Sequence, residues 1–369
     1  MARWWVLFAA SLAVATSAAE LRLLGSAQPG RVVSVRLDLR QLDLGGQALA
    51  AFWLHDGQTV ALPSQWDPKL DGEPLAFWLP PEAQLGAVRL RSVPAAAADG
   101  APVTLSLKRD GVKLTIEAAT YRVTHDPARL AGLPSTIELL PTGKRFDTFS
   151  LNDRVYRQAD GGFQLRSDKA PTVDVLAEGP LRAVVRVRAR YLSEAGAAPA
   201  GNPAASYQFS YTAGSPRVEV SAEMTQTGAP WDELHLLEIN YPDTSFGGWI
   251  GGDPLTEGKF VADSKGQSKA WAALVEGDAT LGLVSPGGVR LYDGRGGYGT
   301  YLHGPWANWA GPAQRLHASL PLSGRPDSRQ VAEREAHANN AGAANAMTEA
   351  AAQALADTEL LAAKLPAPV

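Results

Sequence analysis

Between Asp293 and Pro312 the chain sets Arg295, Tyr298, Tyr301, His303, Trp306, Asn308 and Trp309 among many glycines. Sugars present C–H faces that stack on aromatic rings, and hydroxyls that need fixed polar partners. Trp306 and Trp309 suit the stacking. Arg295, Tyr298 and Asn308 suit polar binding, and Tyr301 and His303 can move protons. The competing reading makes the same aromatics core residues that plug the end of a β-sandwich. Gly294, Gly296 and Gly299 also satisfy G-x-G-x-x-G, but that motif needs a strand before it and a helix after it. Gly304-Pro305 follows instead, so no nucleotide cofactor is expected.

A second candidate is the run from Trp231 to Tyr241. Strand alternation puts Glu233 and His235 on one face, and Glu238 and Asn240 on the other. His235 with a carboxylate could serve as an acid/base pair in sugar-ring chemistry or β-elimination. The rival is an ordinary strand with a solvated polar end. On this alternation Glu233 and Glu238 make a poor hydrolase pair, since two such carboxylates must straddle the bond. The third candidate is the row Arg182, Arg186, Arg188 and Arg190. It could grip a polyuronate, or form a charge ladder with Glu219 and Glu223 on a neighbouring strand.

The chain has no cysteine, which removes thiolate nucleophiles, disulfides and cysteine zinc sites together. His55, His125, His317 and His337 are scattered, and no H-E-x-x-H or G-x-S-x-G is present. No metal or cofactor is therefore expected. Aspartates and loop carbonyls leave room for a structural calcium, which no loop demands.

These groups need strands to position them. Residues 1–19 read as a cleavable signal peptide, with Arg3, an apolar Val6–Ala15 and the small residues before a cut after Ala19. The protein is thus expected in the periplasm or secreted, with no later membrane span. A net charge of −4 argues against nucleic acid as a partner. Residues 20–100 alternate as a small β-barrel, and 94–102 make a linker. Residues 101–325 read as a large antiparallel β-sandwich. A hairpin opens it, with Asp110-Gly111 as a type I′ turn. Its clearest strand has Leu181 to Tyr191 on one face against the arginines. Asn152–Ser167 reads as irregular. Residues 326–369 form an Ala-rich helical tail, a surface for a protein partner. The fold class expected is mainly β: barrel, then supersandwich-like sandwich, then a short helical tail.

Two sets of residues carry a resemblance. Val60-Ala61-Leu62-Pro63-Ser64-Gln65-Trp66-Asp67 resembles the N-terminal RIFT barrel of the exo-rhamnogalacturonan-lyase-like family. Gly179-Pro180-Leu181-Arg182-Ala183-Val184-Val185-Arg186, with Tyr207–Tyr211 and Gly214–Glu219, resembles its central sandwich, of the galactose-mutarotase and polysaccharide-lyase type. The resemblance covers residues 30 to 322 and implies a carbohydrate-active protein. Its usual C-terminal α-helical domain has no counterpart here, and none of the matched motifs is catalytic. If the chain is an enzyme, the resemblance implies metal-independent β-elimination on an acidic polysaccharide or oligosaccharide. His235, Tyr301 and His303 would then transfer protons, and Arg295 or Asn308 would steady the carboxylate. Two alternatives stand beside it: a non-catalytic glycan-binding module, and a structural or assembly protein of the envelope.

Overall fold

A computed structural model describes residues 4–5, 21–22, 29–37, 44–70, 72–97, 99–147, 150–151, 153–228, 230–241, 246–252, 255–260, 266–294, 299–304 and 306–324. The helical tail expected over 326–369, and most of the expected signal segment, lie outside these residues. The described chain is mainly strand, as its alternating pattern requires, and its described helices are short 3-10 turns. It divides into two compact units.

The first unit contains the chain up to Thr104 together with the later segment Leu176–Arg182. One four-stranded sheet runs Trp4–Trp5, Arg31–Arg36, Leu75–Leu79, Ser64–Trp66. Another runs Leu21–Arg22, Val88–Val93, Ala48–His55, Gln58–Ala61. Among the described residues neither closes on itself. Both contribute to one apolar core, with Val33 and Phe77 from the first and Leu49, Trp53 and Leu90 from the second. Each such burial is worth about 1.5–3 kcal/mol. The His55–Gln58 hairpin carries a true type I′ loop, with Asp56 at φ 49° and Gly57 at φ 73°.

Within this unit the segment Val60–Asp67 meets the Gly179–Arg182 part of a second segment on which the resemblance rests. Gln65 Nε2 donates to the Arg182 carbonyl (2.8 Å) and to both Asp67 oxygens (3.0 Å), while its Oε1 accepts from Leu181 N and Arg182 N (both 3.0 Å). Arg182 Nη2 pairs with Asp67 Oδ2 at 2.7 Å, their side chains only 2% and 6% exposed. Gly179 is required beside them, because a Cβ there would lie 2.5 Å from Gln65 Cδ. These motifs are architectural: they close the unit by satisfying each other's buried polar groups.

The second unit holds Leu105–Val175 and, among the described residues, the chain from Ala183 to Gly324. A five-stranded antiparallel sheet is ordered Lys144–Phe146, Pro134–Leu139, Tyr121–His125, Lys113–Glu117, Ser106–Asp110. Its first hairpin turns one residue later than the sequence suggests. Asp110 pairs with Lys113, so the loop is Gly111-Val112, and only Gly111 takes positive φ, 58°. A twelve-stranded sheet forms the largest layer, and a four-stranded sheet runs Gly161–Gln164, Arg154–Arg157, Trp231–His235, Trp306–Trp309. Part of the stretch expected to be irregular is therefore a hairpin, Arg154–Arg157 with Gly161–Gln164. Tyr207, Phe209 and Tyr211 bury their rings almost completely, as their alternation implies.

The arginine row is a charge ladder, with other partners than expected. Asp174 binds Arg186 (3.1 Å) and Arg188 (2.9 Å), and Asp168 binds Arg190 (3.1 Å). The strand Ala204–Thr212 separates the row from Glu219 and Glu223, which pair instead with Arg217 and Arg315. Arg182 leaves the row altogether for Asp67.

Candidate functional site

Two strands of the second unit change sheet at the same level. Trp231–His235 belongs to the four-stranded sheet, and Glu238–Tyr241, three residues on, to the twelve-stranded one. Gly299–His303 and Trp306–Trp309 make the same switch in the opposite direction. The strands stay paired through it, with Glu238 opposite His303 and His235 opposite Trp306. Strands that pass between sheets do so through local bends. Here the bend is Leu236-Leu237, with Leu237 left-handed at φ 47°. Gly304 lets the second strand pass close, since a Cβ there would lie 2.9 Å from the Leu236 carbonyl oxygen.

That bend overturns simple alternation. Glu233 and Glu238 do not diverge to opposite faces; both flank His235. Nε2 lies 2.7 Å from Glu233 Oε2, and Nδ1 lies 3.3 Å from Glu238 Oε2. Arg154 Nη2 completes the rim, 3.8 Å from Glu233 and 3.4 Å from His235 Nε2. His303 stands beside them, its ring centroid 6.1 Å from that of His235. Its Nδ1 lies 2.9 Å from the Gly304 carbonyl. Burial holds the His303 imidazole below its ordinary value, against the opposing pull of that carbonyl and of Glu238. Arg290 pairs with His303 on the far side, so carboxylate, imidazole and guanidinium stand in one row across three strands.

Behind this row lies a carboxylate that no sequence signal marked. Asp153 is 2% exposed. It accepts from the Tyr191 hydroxyl at 2.8 Å and from the Tyr207 hydroxyl. Burial pushes it up to about 7, and the two tyrosines and His235 offset only part of that. Its partners lie 38 and 54 residues away, a separation that local pattern cannot read.

The structure thus brings together His235 and His303, with Glu233, Glu238, Arg154 and Asp153. It does not bring the whole aromatic set with them. Trp309 is 2% exposed and pairs across the ladder with Trp231, so it packs the interior rather than presenting a stacking face. Asn308 is exposed and donates to the Asp232 carbonyl at 2.9 Å. Tyr301 pairs in the ladder with Asn240 and Tyr292. Arg295 and Tyr298 lie outside the described residues. Among the described residues no three His, Cys, Asp or Glu side chains gather as a metal site, and no helix is long and apolar enough to cross a membrane.

No protein-family model and no curated protein matches the sequence. Solved structures share the fold. An α-mannosidase from Enterococcus faecalis V583 superimposes with a TM-score of 0.54 at 12% identity, over 87% of this chain and 43% of that one. A glycosyl hydrolase family 38 protein from Enterococcus faecalis gives 0.54 at 12% identity, over 85% and 45%. A more distant likeness, to a family 36 α-galactosidase from Geobacillus stearothermophilus, has a TM-score of 0.36 at 11% identity over 60% and 40%. The chain therefore spans less than half the length of these structures, and shares with the first two a β-rich fold found in carbohydrate-active enzymes.

Proposed function

We propose that this is an exported carbohydrate-active protein, and that the strand-switch corner is its proton-transfer site. The observation that carries the reading is the meeting of His235 and His303, 68 positions apart in sequence, with ring centroids 6.1 Å apart among carboxylates. The fold shared with two glycoside hydrolases supports the substrate class. In β-elimination on a uronate, a base removes the proton next to the carboxylate and the glycosidic oxygen leaves with a proton from an acid. His303 takes the base role. Burial favours its neutral form, and donation of Nδ1–H to Gly304 leaves the lone pair on Nε2. His235, oriented by Glu233, hands the proton to the leaving oxygen. Arg290, in the same row, takes the place first given to Arg295 as the group that faces the substrate carboxylate.

The test is a glycan-array screen of the mature protein, with absorbance of unsaturated uronic acids followed on every hit. His235→Ala or His303→Ala should lower kcat by about 10²–10⁴. Activity that survives both substitutions dismisses the roles given to them. A second reading is a glycan-binding module without turnover. Its support is the small exposure of His235 (4%), Glu238 (5%) and His303 (6%). Binding without new absorbance selects it. N-terminal sequencing of the exported protein tests cleavage after Ala19.

A further inference from the structure

The sequence offers Asn308 as a substrate contact, yet its exposed amide is committed to backbone, where Nδ2 donates to the Asp232 carbonyl at 2.9 Å. The strand ladder shows what that bond holds. Trp231 pairs with Trp309 and Leu234 with Ala307, so three steps along one strand match two along the other. Asp232 and Glu233 together oppose Asn308, which makes a β-bulge. On its other side the same strand pairs without a break, His235 with Arg154, Leu234 with Val155 and Glu233 with Tyr156. There the Asp232 carboxylate takes hold as well, with Oδ2 accepting from Gln158 N at 2.8 Å.

The bulge decides which side chains share a face. In an unbroken strand Trp231, Glu233 and His235 lie on one face and Leu234 on the other. Here Trp231 (2% exposed) and Leu234 (1%) are both core. Leu234 stands in one row with Val155 and Phe163, and the Trp231 ring meets the Phe163 ring edge-on at 5.8 Å. The extra residue lets both face this interior while Glu233 and His235 keep to the site, Glu233 Oε2 lying 2.7 Å from His235 Nε2. A bulge re-aims a side chain in this way, and a slip of one residue would turn it to the other face.

We infer that Asn308 and Asp232 are positioning residues: they pin the bulge from both sides and so hold Glu233 against His235. Their hydrogen bonds go to backbone, so they act on the strand rather than on the reacting atoms. The inference rests on the proposed function only for its kinetic consequence, a fall in kcat of about 10² with KM little changed.

The experiment reads the His235 ring nitrogens by long-range ¹H–¹⁵N NMR in the full chain, at one fixed pH and with no glycan present. Glu233→Ala marks the position that Nε2 takes once its carboxylate is gone. Asn308→Ala and Asp232→Ala should each move the Nε2 resonance most of the way toward that position. Asp232→Asn drops the charge but keeps an oxygen for Gln158 N, so it should stay at the wild-type position. Asn308→Ala added to Glu233→Ala should move nothing further, because both act through one contact. The His125 ring, buried in the five-stranded sheet, should hold its place in every variant and so report an intact fold. An unmoved Nε2 in Asn308→Ala, equal shifts in Asp232→Ala and Asp232→Asn, or full additivity with Glu233→Ala would overturn the inference. Should Asn308→Ala fail to fold, the two Asp232 variants decide alone. Because the readout needs no glycan, absence of sugar chemistry in the earlier assay leaves the inference standing. Turnover in the wild type with an unmoved ring in Asn308→Ala overturns the positioning role and leaves the proposed function intact.

Discussion

His125 is fully buried, with Nε2 2.6 Å from the Tyr211 hydroxyl and Nδ1 2.7 Å from the Gly132 carbonyl. Burial pushes its imidazole down to about 4. A folded value below the unfolded one means that the native state binds fewer protons. That stability is fully present above about pH 6.5 and is lost as the pH falls toward 4, on the order of 3 kcal/mol in all. Asp153 runs the other way. Its folded value, about 7, lies above the ordinary carboxyl value, so native stability drops as the pH rises from about 4 through 7. Urea denaturation across that window should therefore show Asp153→Asn gaining on the wild type as the pH rises. A constant difference between the two would show that Asp153 carries no proton near neutrality. Neither group was legible as buried and paired. A lone histidine and an aspartate in a polar stretch look the same in sequence whether they are solvated or enclosed. His235 and His303 were legible as candidates, because few residue types move protons, but nothing local said that they meet.

At the scale of elements, period-two alternation read most strands correctly. From Leu181 to Tyr191, Tyr207 to Tyr211 and Val218 to Met224, every second side chain is buried as its pattern implies. Alternation failed where the backbone leaves the extended state. At Leu237 one left-handed residue resets the faces, so Glu238 points to His235 instead of away. The bend also depends on Gly304. Its missing Cβ would meet backbone, the Leu236 carbonyl oxygen at 2.9 Å, which cannot swing aside as a side chain can. Gly304→Ala should lower stability by about 1–3 kcal/mol. Gly311→Ala, whose Cβ would meet its nearest atom at 3.9 Å, should change it by less than about 0.5 kcal/mol. Equal denaturation midpoints for the two variants would mean that the corner relaxes freely.

For the whole molecule, the informative feature is that the first unit is not continuous in sequence. Leu176–Arg182 returns to it after more than seventy intervening residues, and Arg182 is the buried partner of Asp67. Removing one member leaves the other charge buried without its counterion. Asp67→Ala or Arg182→Ala should each cost about 3–5 kcal/mol, and Asp67→Leu with Arg182→Met should recover much of the loss. Urea midpoints measure this. A double variant no better than the singles would mean that the Gln65 network, rather than the ion pair, holds the segment. The resemblance had singled out both segments by sequence; that they bind each other was beyond it, since a buried pair 115 residues apart leaves no periodic trace.

Discontinuity has a consequence in time. A chain is made from its N-terminus at about 5–20 residues per second. When Thr104 leaves the ribosome the first unit still lacks the guanidinium that neutralises Asp67, and it waits on the order of ten seconds for Arg182 to emerge. Through that interval the first unit lacks both its later segment, Leu176–Arg182, and the counterion of Asp67 that the segment carries.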